Sequence, residues 1–236
     1  MIDVARIDFW AAHGASALHR ASVPAKLLLV GCAVAAAVTA REPLSLGAGL
    51  CLLVLVAALN GLPWVAIGAL SLTAAVFAAL YALSLRGSAV VYAIVLLKAI
   101  LPAYAAGMLI TTTPYPRIFA FLGRFLPEII EAGLFMTYRS FFILLGMMNS
   151  FSTAIRIRSG FSPASLARNG ANIARGIGAL LVRAVERSSR LYAVMTARGY
   201  SGSMADTGRG GLTRGDWLPL AAAAAILAAA LGGRLA

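Results

Sequence analysis

The chain has 236 residues, of which 61% are apolar and only 12% are charged, and its mean hydropathy is +0.89. A soluble domain is usually about 45–50% apolar and about 25% charged, so this composition excludes an ordinary water-soluble globule and predicts a membrane protein. Both cysteines, Cys32 and Cys51, lie within apolar runs, which excludes an extracellular disulfide scaffold. The 20 basic and 8 acidic residues give a net charge of +12, which indicates a cytoplasmic face and an acidic partner rather than nucleic acid.

The first half of the chain contains four apolar runs. They are Lys26–Ala40, Leu44–Asn60, Trp64–Ser84 and Ala89–Thr112. A spanning helix needs about 20 apolar residues, so the last two qualify by length. The first two are predicted as short or tilted spans that meet in a turn before Pro43, which cannot continue a helix. Residues 1–112 therefore form a predicted N-terminal membrane domain, and the apolar run Trp217–Leu231 predicts a further span within residues 217–236.

The charge distribution predicts the orientation. Residues 113–216 carry 13 basic and 5 acidic residues, a net of +8, whereas residues 1–112 net only +3. Because positive charge favours the cytoplasmic side, we predict that 113–216 is a cytoplasmic domain of a multi-pass plasma (inner) membrane protein. Four preceding crossings place the N-terminus inside, and the last span places the C-terminus outside.

One segment within this domain has two interpretations. Residues 132–151 form a 20-residue apolar stretch whose single charge is Arg139. Hydropathy alone predicts a membrane span. A crossing would put one of the two arginine-bearing flanks on the far side, so we favour a long helix at the inner surface with its apolar side packed on other helices.

Residues 163–199 are predicted to form an amphipathic helix that begins near Pro163. At about 100° per residue, its six arginines fall within an arc of roughly 140°. They are Arg168, Arg175, Arg183, Arg187, Arg190 and Arg198. The apolar residues collect on the other side; they are Ile177, Leu181, Ala184, Val185, Tyr192 and Met195. For most of these arginines the alternative is a face solvated by water or lipid phosphates. A single acid, Glu186, accompanies them, however, and this imbalance exceeds what ordinary solubility requires.

Two strings predict helix ends that present an arginine. They are residues 155–161, Ile-Arg-Ile-Arg-Ser-Gly-Phe, and residues 196–200, Thr-Ala-Arg-Gly-Tyr. A glycine permits the left-handed turn that stops a helix, and an arginine in the last turn is favoured by the helix dipole. Its guanidinium then projects past the helix end, where it can bind a carboxylate with two parallel hydrogen bonds.

A family resemblance rests on the stretch Glu186–Tyr200 and on the N-terminal residues Leu18–Leu28. The first resembles the signature of the transmembrane coupling (T) subunit of energy-coupling-factor ABC transporters, and the second is similar to that family's entry into its first membrane helix. The similarity is greatest to the CbiQ type found with cobalt or nickel uptake systems, and it extends over nearly the whole chain.

The resemblance implies an all-α polytopic fold: about five transmembrane helices plus a cytoplasmic domain of two long amphipathic coupling helices and a short one. It also implies two X-Arg-X motifs, each of which docks on one ATPase subunit. The second motif is Ala197-Arg198-Gly199. The first is Ile157-Arg158-Ser159, which departs from the commoner Ala-Arg-Gly, so either Arg156 or Arg158 is its docking residue.

The implied partners are two ATPase subunits, the lipid bilayer and a separate substrate-capture (S) membrane protein, dedicated or shared; nucleic acid is not among them. Candidate contacts with the capture protein are Phe135, Phe142, Leu145, Met148, Ile177, Leu181 and Met195. The chain is predicted not to be an enzyme, because it has no phosphate-binding Gly-x-x-x-x-Gly-Lys-Ser/Thr motif. ATP and Mg²⁺ would be held by the partner ATPase. No cofactor or metal site is predicted, because His13 and His19 do not have zinc-ligand spacing.

Three functional classes remain as alternatives. The first is the coupling subunit of an importer for a transition-metal ion, cobalt or nickel, with a vitamin as the other substrate class. The second is an ordinary ABC importer permease, although Glu131-Ala132-Gly133 is a poor match to its coupling loop. The third is a secondary transporter or channel, which usually has paired ionisable residues near the midplane. Lys98 is the one base deep in a predicted span, and Tyr81, Tyr104 or backbone carbonyls are its predicted partners.

Overall fold

The computed structural model describes residues 10–12, 14, 16–40, 42–85, 88–157, 166–200 and 214–235. All regular secondary structure in these ranges is helical. The helices are α1 (Ala17–Arg20), α2 (Val23–Thr39), α3 (Pro43–Leu59), α4 (Trp64–Ser84), α5 (Ala89–Thr112), α6 (Tyr115–Leu122), α7 (Glu128–Ile157), α8 (Leu166–Ala197) and α9 (Trp217–Leu235), with a 3-10 turn at Arg214–Asp216 before α9. The predicted all-α fold is confirmed.

Three helices in the described part of the chain are long and apolar enough to cross a membrane. They are Trp64–Ser84, Ala89–Thr112 and Glu128–Ala154. Shorter apolar helices occupy Val23–Thr39, Pro43–Leu59 and Trp217–Gly232. The chain is therefore an all-α polytopic membrane protein. Length and composition place α7 among the candidate spans, and its predicted position at the inner surface stays a prediction.

The chain divides into two compact units. The first, the bundle unit, comprises residues 1–121 and 208–236, and the second, the long-helix unit, comprises residues 122–207. These units are defined by contacts within the chain. The predicted membrane domain, cytoplasmic domain and C-terminal span are defined by position relative to the bilayer, and they stay predictions.

The bundle unit is organised around α5, which packs against α2, α3 and α4, while α9 packs against α2 and α3. Its core contains fully buried leucine and isoleucine side chains, including Leu46, Leu53, Leu101 and Ile226. Gly107 lets α5 approach α4 closely, because a Cβ atom there would lie 3.0 Å from Ile67 Cγ2.

Proline and glycine set the helix boundaries in this bundle. Pro43 occupies the first turn of α3, where its missing N–H is not needed. At the other end of α3, Gly61 adopts a φ of +64°, and the Leu62 N–H donates to the Ala57 carbonyl at 3.0 Å. The Gly61 N–H donates to the Ala58 carbonyl at 3.1 Å. This Schellman arrangement satisfies carbonyls that the helix end leaves free and reverses the chain towards α4.

The long-helix unit is built on α7 and α8, of 30 and 32 residues, each about 45 Å long at 1.5 Å per residue. The two helices pack against each other. At one contact, the Phe151 ring of α7 occupies the space that a Cβ atom of Gly176 would need. Gly176 therefore creates the depression in α8 that receives this ring.

Candidate functional site: helix ends, helix faces and a buried polar cluster

The second predicted docking motif lies at the C-terminal end of α8, which has a well-defined stop. Gly199 has a φ of +85°. The Tyr200 N–H donates to the Met195 carbonyl and the Gly199 N–H donates to the Thr196 carbonyl, both at 3.0 Å. These two bonds form a second Schellman motif, so the predicted glycine stop is confirmed.

Arg198 is the last residue before this stop. Its side chain is exposed, as is that of Ala197, and its N–H donates to the Met195 carbonyl at 3.0 Å. The backbone is therefore tied down while the guanidinium remains accessible at the negative end of the helix dipole. Such a fixed, exposed fork of donors can bind a carboxylate in two parallel hydrogen bonds.

The first predicted docking motif is described only in part. Arg156 lies in the last turn of α7 with an exposed side chain, and the Ile157 side chain is also exposed. Arg158 and Ser159 lie outside the described residues. The choice between Arg156 and Arg158 therefore stays open.

The cationic arc of α8 is accessible over the part that the structure describes. The side chains of Arg175, Arg183, Arg187, Arg190 and Arg198 are all exposed. The single described ion pair on this helix joins Arg190 to Glu186 at 3.9 Å, and both side chains are largely exposed. An exposed pair of this kind contributes little to stability, so the positive charge of the arc is largely uncompensated within α8.

The face with which α8 packs against α7 includes Gly176. Four residues of the predicted apolar side are exposed instead: Ile177 (59%), Leu181 (65%), Val185 (60%) and Tyr192 (65%). Of the six residues that periodicity placed on this side, Ala184 and Met195 are half-buried and the other four are exposed. Most of the predicted apolar side is therefore left uncovered within the long-helix unit.

The predicted capture-protein contacts fall into two groups. Met148, Ile177 and Leu181 are exposed. Phe135, Phe142, Leu145 and Met195 are half-buried, and the Phe142 ring packs edge-on against Tyr138 with centroids 5.1 Å apart. The exposed group is directly available to a partner.

A buried polar cluster in the bundle unit was not anticipated from the sequence. The Lys26 side chain is only 3% exposed, and its Nζ donates to the Thr112 carbonyl at 3.1 Å and to Thr113 Oγ1 at 2.9 Å. Asp216 is 2% exposed and accepts a hydrogen bond from the Ser22 N–H at 2.5 Å. These contacts join the beginning of α2 to the end of α5 and to the residue that precedes α9.

The sequence contains a weak signal for this cluster. Lys26 stands at the start of the first apolar run and Asp216 directly before the last one. In the predicted topology of alternating spans, both positions fall on the same side of the membrane as the end of the fourth run. A buried charge is retained where polar groups satisfy it, so a base and an acid at matching ends are candidates for such a cluster.

One of the predicted partners of Lys98 is not its partner in the structure, because Tyr104 Oη is buried without a hydrogen-bond partner among the described residues. Tyr81 and the backbone carbonyls stay predictions. Lys98 itself is half-buried in α5.

His19 is held by two hydrogen bonds within the bundle unit. Its Nε2 donates to the Trp10 carbonyl at 3.2 Å and its Nδ1 accepts from Ser16 Oγ at 2.7 Å. Desolvation lowers the His19 pKa, and the positive charge of Lys26 lowers it further, against the opposing effect of the hydrogen bond to Trp10. Within the described residues, no group of three or more His, Cys, Asp or Glu side chains is placed to hold a metal ion.

These features can be compared with known families. The family model of the cobalt transport protein, CbiQ, matches residues 14–207, which include α1 to α8 and the second docking motif. The chain belongs to the CbiQ cobalt transport protein family. This confirms the family identified from Glu186–Tyr200. No curated protein matches the chain.

Membership of the CbiQ family makes the chain a membrane component of a transport system. It is one component of a multi-subunit complex, and the family is generally non-catalytic. The coarse function predicted from the sequence is thereby confirmed. The coupling role, the identity of the partners and the transported ion are finer questions.

Proposed function

We propose that this chain is the non-catalytic transmembrane coupling subunit of an energy-coupling-factor importer for a transition-metal ion, cobalt or nickel. The observation that carries the proposal is the end of α8. There a Schellman stop fixes the backbone around Arg198 and leaves its guanidinium exposed. A rigid 32-residue helix that ends in an accessible arginine is suited to transmit a movement from whatever protein binds that arginine.

ATP hydrolysis belongs to two partner ATPase subunits in this proposal. The chain contains no Gly-x-x-x-x-Gly-Lys-Ser/Thr motif, so the partners would hold ATP and Mg²⁺. Arg198 would dock on one ATPase, and Arg156 or Arg158 on the other. When the two ATPase subunits close on ATP, the docked ends of α7 and α8 approach each other and the two helices slide.

The sliding helices would act on the substrate-capture membrane protein. The exposed apolar side chains Met148, Ile177 and Leu181 supply a surface that this partner can cover. Methionine adapts to a moving contact because its side chain is flexible and polarizable. Substituting serine at positions 177 and 181 should abolish co-purification of the capture protein and leave that of the ATPase unchanged. Retention of the capture protein by this variant would contradict the assigned surface.

The ATPase docking is tested by a pair of charge reversals on α8. Arg198→Glu should remove binding of the co-expressed ATPase subunits, because it leaves their carboxylates unpaired and adds repulsion. Breaking such a pair costs about 2–5 kcal/mol, or roughly 30- to several-thousand-fold in affinity. Arg175→Glu is the matched control, since Arg175 is equally exposed but lies in the middle of the helix. Co-purification and metal uptake that survive Arg198→Glu would overturn the coupling role.

The first docking residue is found by testing the two arginines separately. Arg156→Ala should have a small effect on ATPase binding if Arg158 docks, and a large one if Arg156 does. If Arg158 is the docking residue, the double variant Arg158→Glu/Arg198→Glu should lose assembly with the ATPase subunits altogether. Uptake of radiolabelled cobalt and nickel by cells with the intact complex then identifies the transported ion.

The proposed orientation places the N-terminus and the long-helix unit in the cytoplasm and the C-terminus outside. A single cysteine at position 150 should resist a membrane-impermeant label applied from outside intact cells, whereas one at position 236 should react. Labelling at position 150 from outside would mean that α7 crosses the membrane, and the coupling-helix assignment would fail.

A further inference from the structure

Arginines line two adjacent hollows between α7 and α8. The first hollow has a volume of about 130 Å³, and Arg139 of α7 and Arg187 of α8 both line it. The second hollow is wider, about 400 Å³, and is lined by Arg183, Arg187 and Arg190. Arg187, Met147 and Leu191 line both hollows, so the two hollows adjoin and four arginine residues line them together.

The first hollow has an unbalanced charge. Its described lining includes no aspartate or glutamate, and arginine stays protonated at any physiological pH. Two like charges that share a small space repel each other, and an anion held between them removes that repulsion. Ser140 and Ser188 also line the hollow, and a serine hydroxyl is a donor of the kind that phosphate oxygens accept.

The rest of the lining is apolar. Ile143, Leu144 and Met147 contribute to the first hollow, and all three belong to Glu128–Ala154, the stretch of α7 that is apolar enough to lie in a membrane. A free inorganic anion would gain nothing from such a surface. An amphiphile gains from both parts, because its headgroup pairs with arginine while its hydrocarbon covers the apolar side chains.

We propose that this region is a binding site for an anionic phospholipid, whose phosphate lies between Arg139 and Arg187 and whose acyl chain lies along the apolar residues of α7. Arg183 and Arg190 contribute further positive charge at the second hollow. The site requires only α7 and α8 and is independent of the ATPase-docking proposal. It gives Arg139, the single charge of the 132–151 stretch, a specific role.

The test uses the full-length chain, delipidated in a neutral detergent and titrated with phosphatidylglycerol, with binding followed by native mass spectrometry. Phosphatidylcholine with the same acyl chains is the zwitterionic comparison. The variant Arg139→Gln/Arg187→Gln removes one charge from each helix. Its control, Arg156→Gln/Arg175→Gln, removes one exposed charge from each of the same helices outside both hollows.

We expect the wild-type chain to bind phosphatidylglycerol more tightly than phosphatidylcholine. The Arg139/Arg187 variant should lose about 25-fold in affinity for phosphatidylglycerol, since each basic residue near an anionic lipid contributes roughly a fivefold factor. The control variant should bind as the wild type does. Equal binding of the two lipids, equal losses in the two variants, or an unchanged Arg139/Arg187 variant would each overturn the proposal.

Two further measurements complete the test. Phosphatidylglycerol should raise the melting temperature of the wild-type chain but not that of the Arg139/Arg187 variant. A cooperative melting transition of the variant also shows that it is folded. Inorganic phosphate at millimolar concentration should not displace the lipid. Full displacement would mean that the site recognises the free anion, and the lipid assignment would be wrong. ATPase co-purification plays no part in these outcomes, so failure here leaves the coupling role untouched.

Discussion

The two units of the chain use apolar helices in different ways. In the bundle unit, 22% of the most apolar 18-residue stretch of α4 is buried, and 28% of that of α5. The corresponding stretch of α7, in the long-helix unit, is only 6% buried. The bundle unit also has a continuous core that joins α2, α3, α5 and α9. Both units have exposed apolar side chains, but the two long helices of the long-helix unit have few contacts with each other.

This difference indicates where each unit obtains its stability. The bundle unit has a buried core of its own, and the Lys26 and Asp216 contacts close its helix ends, so a substitution in that core should change stability directly. The long-helix unit leaves Ile177 and Leu181 uncovered. Substitutions on those surfaces should change binding to partners or lipid more than they change folding.

The largest expected effect on stability concerns Lys26. Lys26→Met removes the ammonium group and leaves the Thr112 carbonyl and Thr113 Oγ1 without their donor. Hydrogen bonds to a charged group contribute about 1.5–3 kcal/mol, so we expect a loss of this size in the free energy of unfolding, measured by thermal or denaturant unfolding in detergent.

Lys98→Met is the matched control for Lys26. It removes the other lysine of the chain from α5, where the side chain is only half-buried, and it should change stability much less. A Lys26→Met variant as stable as the Lys98→Met variant would mean that the cluster does not stabilise the bundle. Lys98→Met also tests whether Lys98 has a role in transport. Unchanged stability together with reduced metal uptake would indicate such a role.

Lys26 also marks the limit of what the sequence predicts. The helices could be located because apolar runs and prolines are local signals: the predicted Leu44–Asn60 and Ala89–Thr112 became α3 and α5 with boundaries within one residue. The stop at Gly199 is local too. The partners of Lys26 lie 86 and 87 residues away, and no periodicity reports which helix ends meet.

The face of α8 that contacts α7 could not be predicted for a related reason. Hydrophobic periodicity assumes that the largest apolar side chains face the neighbouring helix. In α8 a glycine, Gly176, receives the Phe151 ring instead, and close contact through a small residue gives almost no signal in a hydropathy pattern. The sequence therefore located the helix and its cationic arc but not the face that contacts α7.

The next largest effect is expected from a close contact in the bundle. Gly107→Val would place side-chain atoms within about 3 Å of Ile67 Cγ2, and overpacking of this kind costs about 1–3 kcal/mol. Gly68→Val in α4 is the control, because a Cβ atom there meets nothing within 4 Å. Thermal unfolding in detergent should show a lower melting temperature for Gly107→Val alone. Similar melting temperatures for the two variants would contradict the close packing of α4 on α5.

The same comparison in the long-helix unit should change a contact rather than the stability of the whole chain. Gly176→Val displaces the Phe151 ring, and we expect it to weaken the α7–α8 contact by about 1–3 kcal/mol. Cysteines at positions 147 and 191, in a background without Cys32 and Cys51, report this contact by their yield of cross-linking with a flexible bis-maleimide reagent, since both positions line the same hollow between the helices.

Gly178→Val should keep the cross-linking yield of the parent, because Gly178 has open space around it. The melting temperature of the bundle unit should be unchanged in both variants. If Gly176→Val lowered that temperature as much as Gly107→Val does, the two units would not differ in the way proposed above.

The smallest expected effect concerns Glu186, the one acidic residue that lines the second hollow. Its carboxylate lies 3.9 Å from Arg190, but the two side chains are 59% and 82% exposed, and an exposed i,i+4 pair contributes only about 0.3–0.5 kcal/mol. Glu186→Gln should therefore leave the melting temperature almost unchanged. It should also raise the affinity for phosphatidylglycerol, because it removes the single negative charge among Arg183, Arg187 and Arg190. Weaker lipid binding by this variant would mean that Glu186 positions the arginines instead of repelling the lipid headgroup. The long-helix unit would then depend on an ion pair of its own, as the bundle unit depends on Lys26.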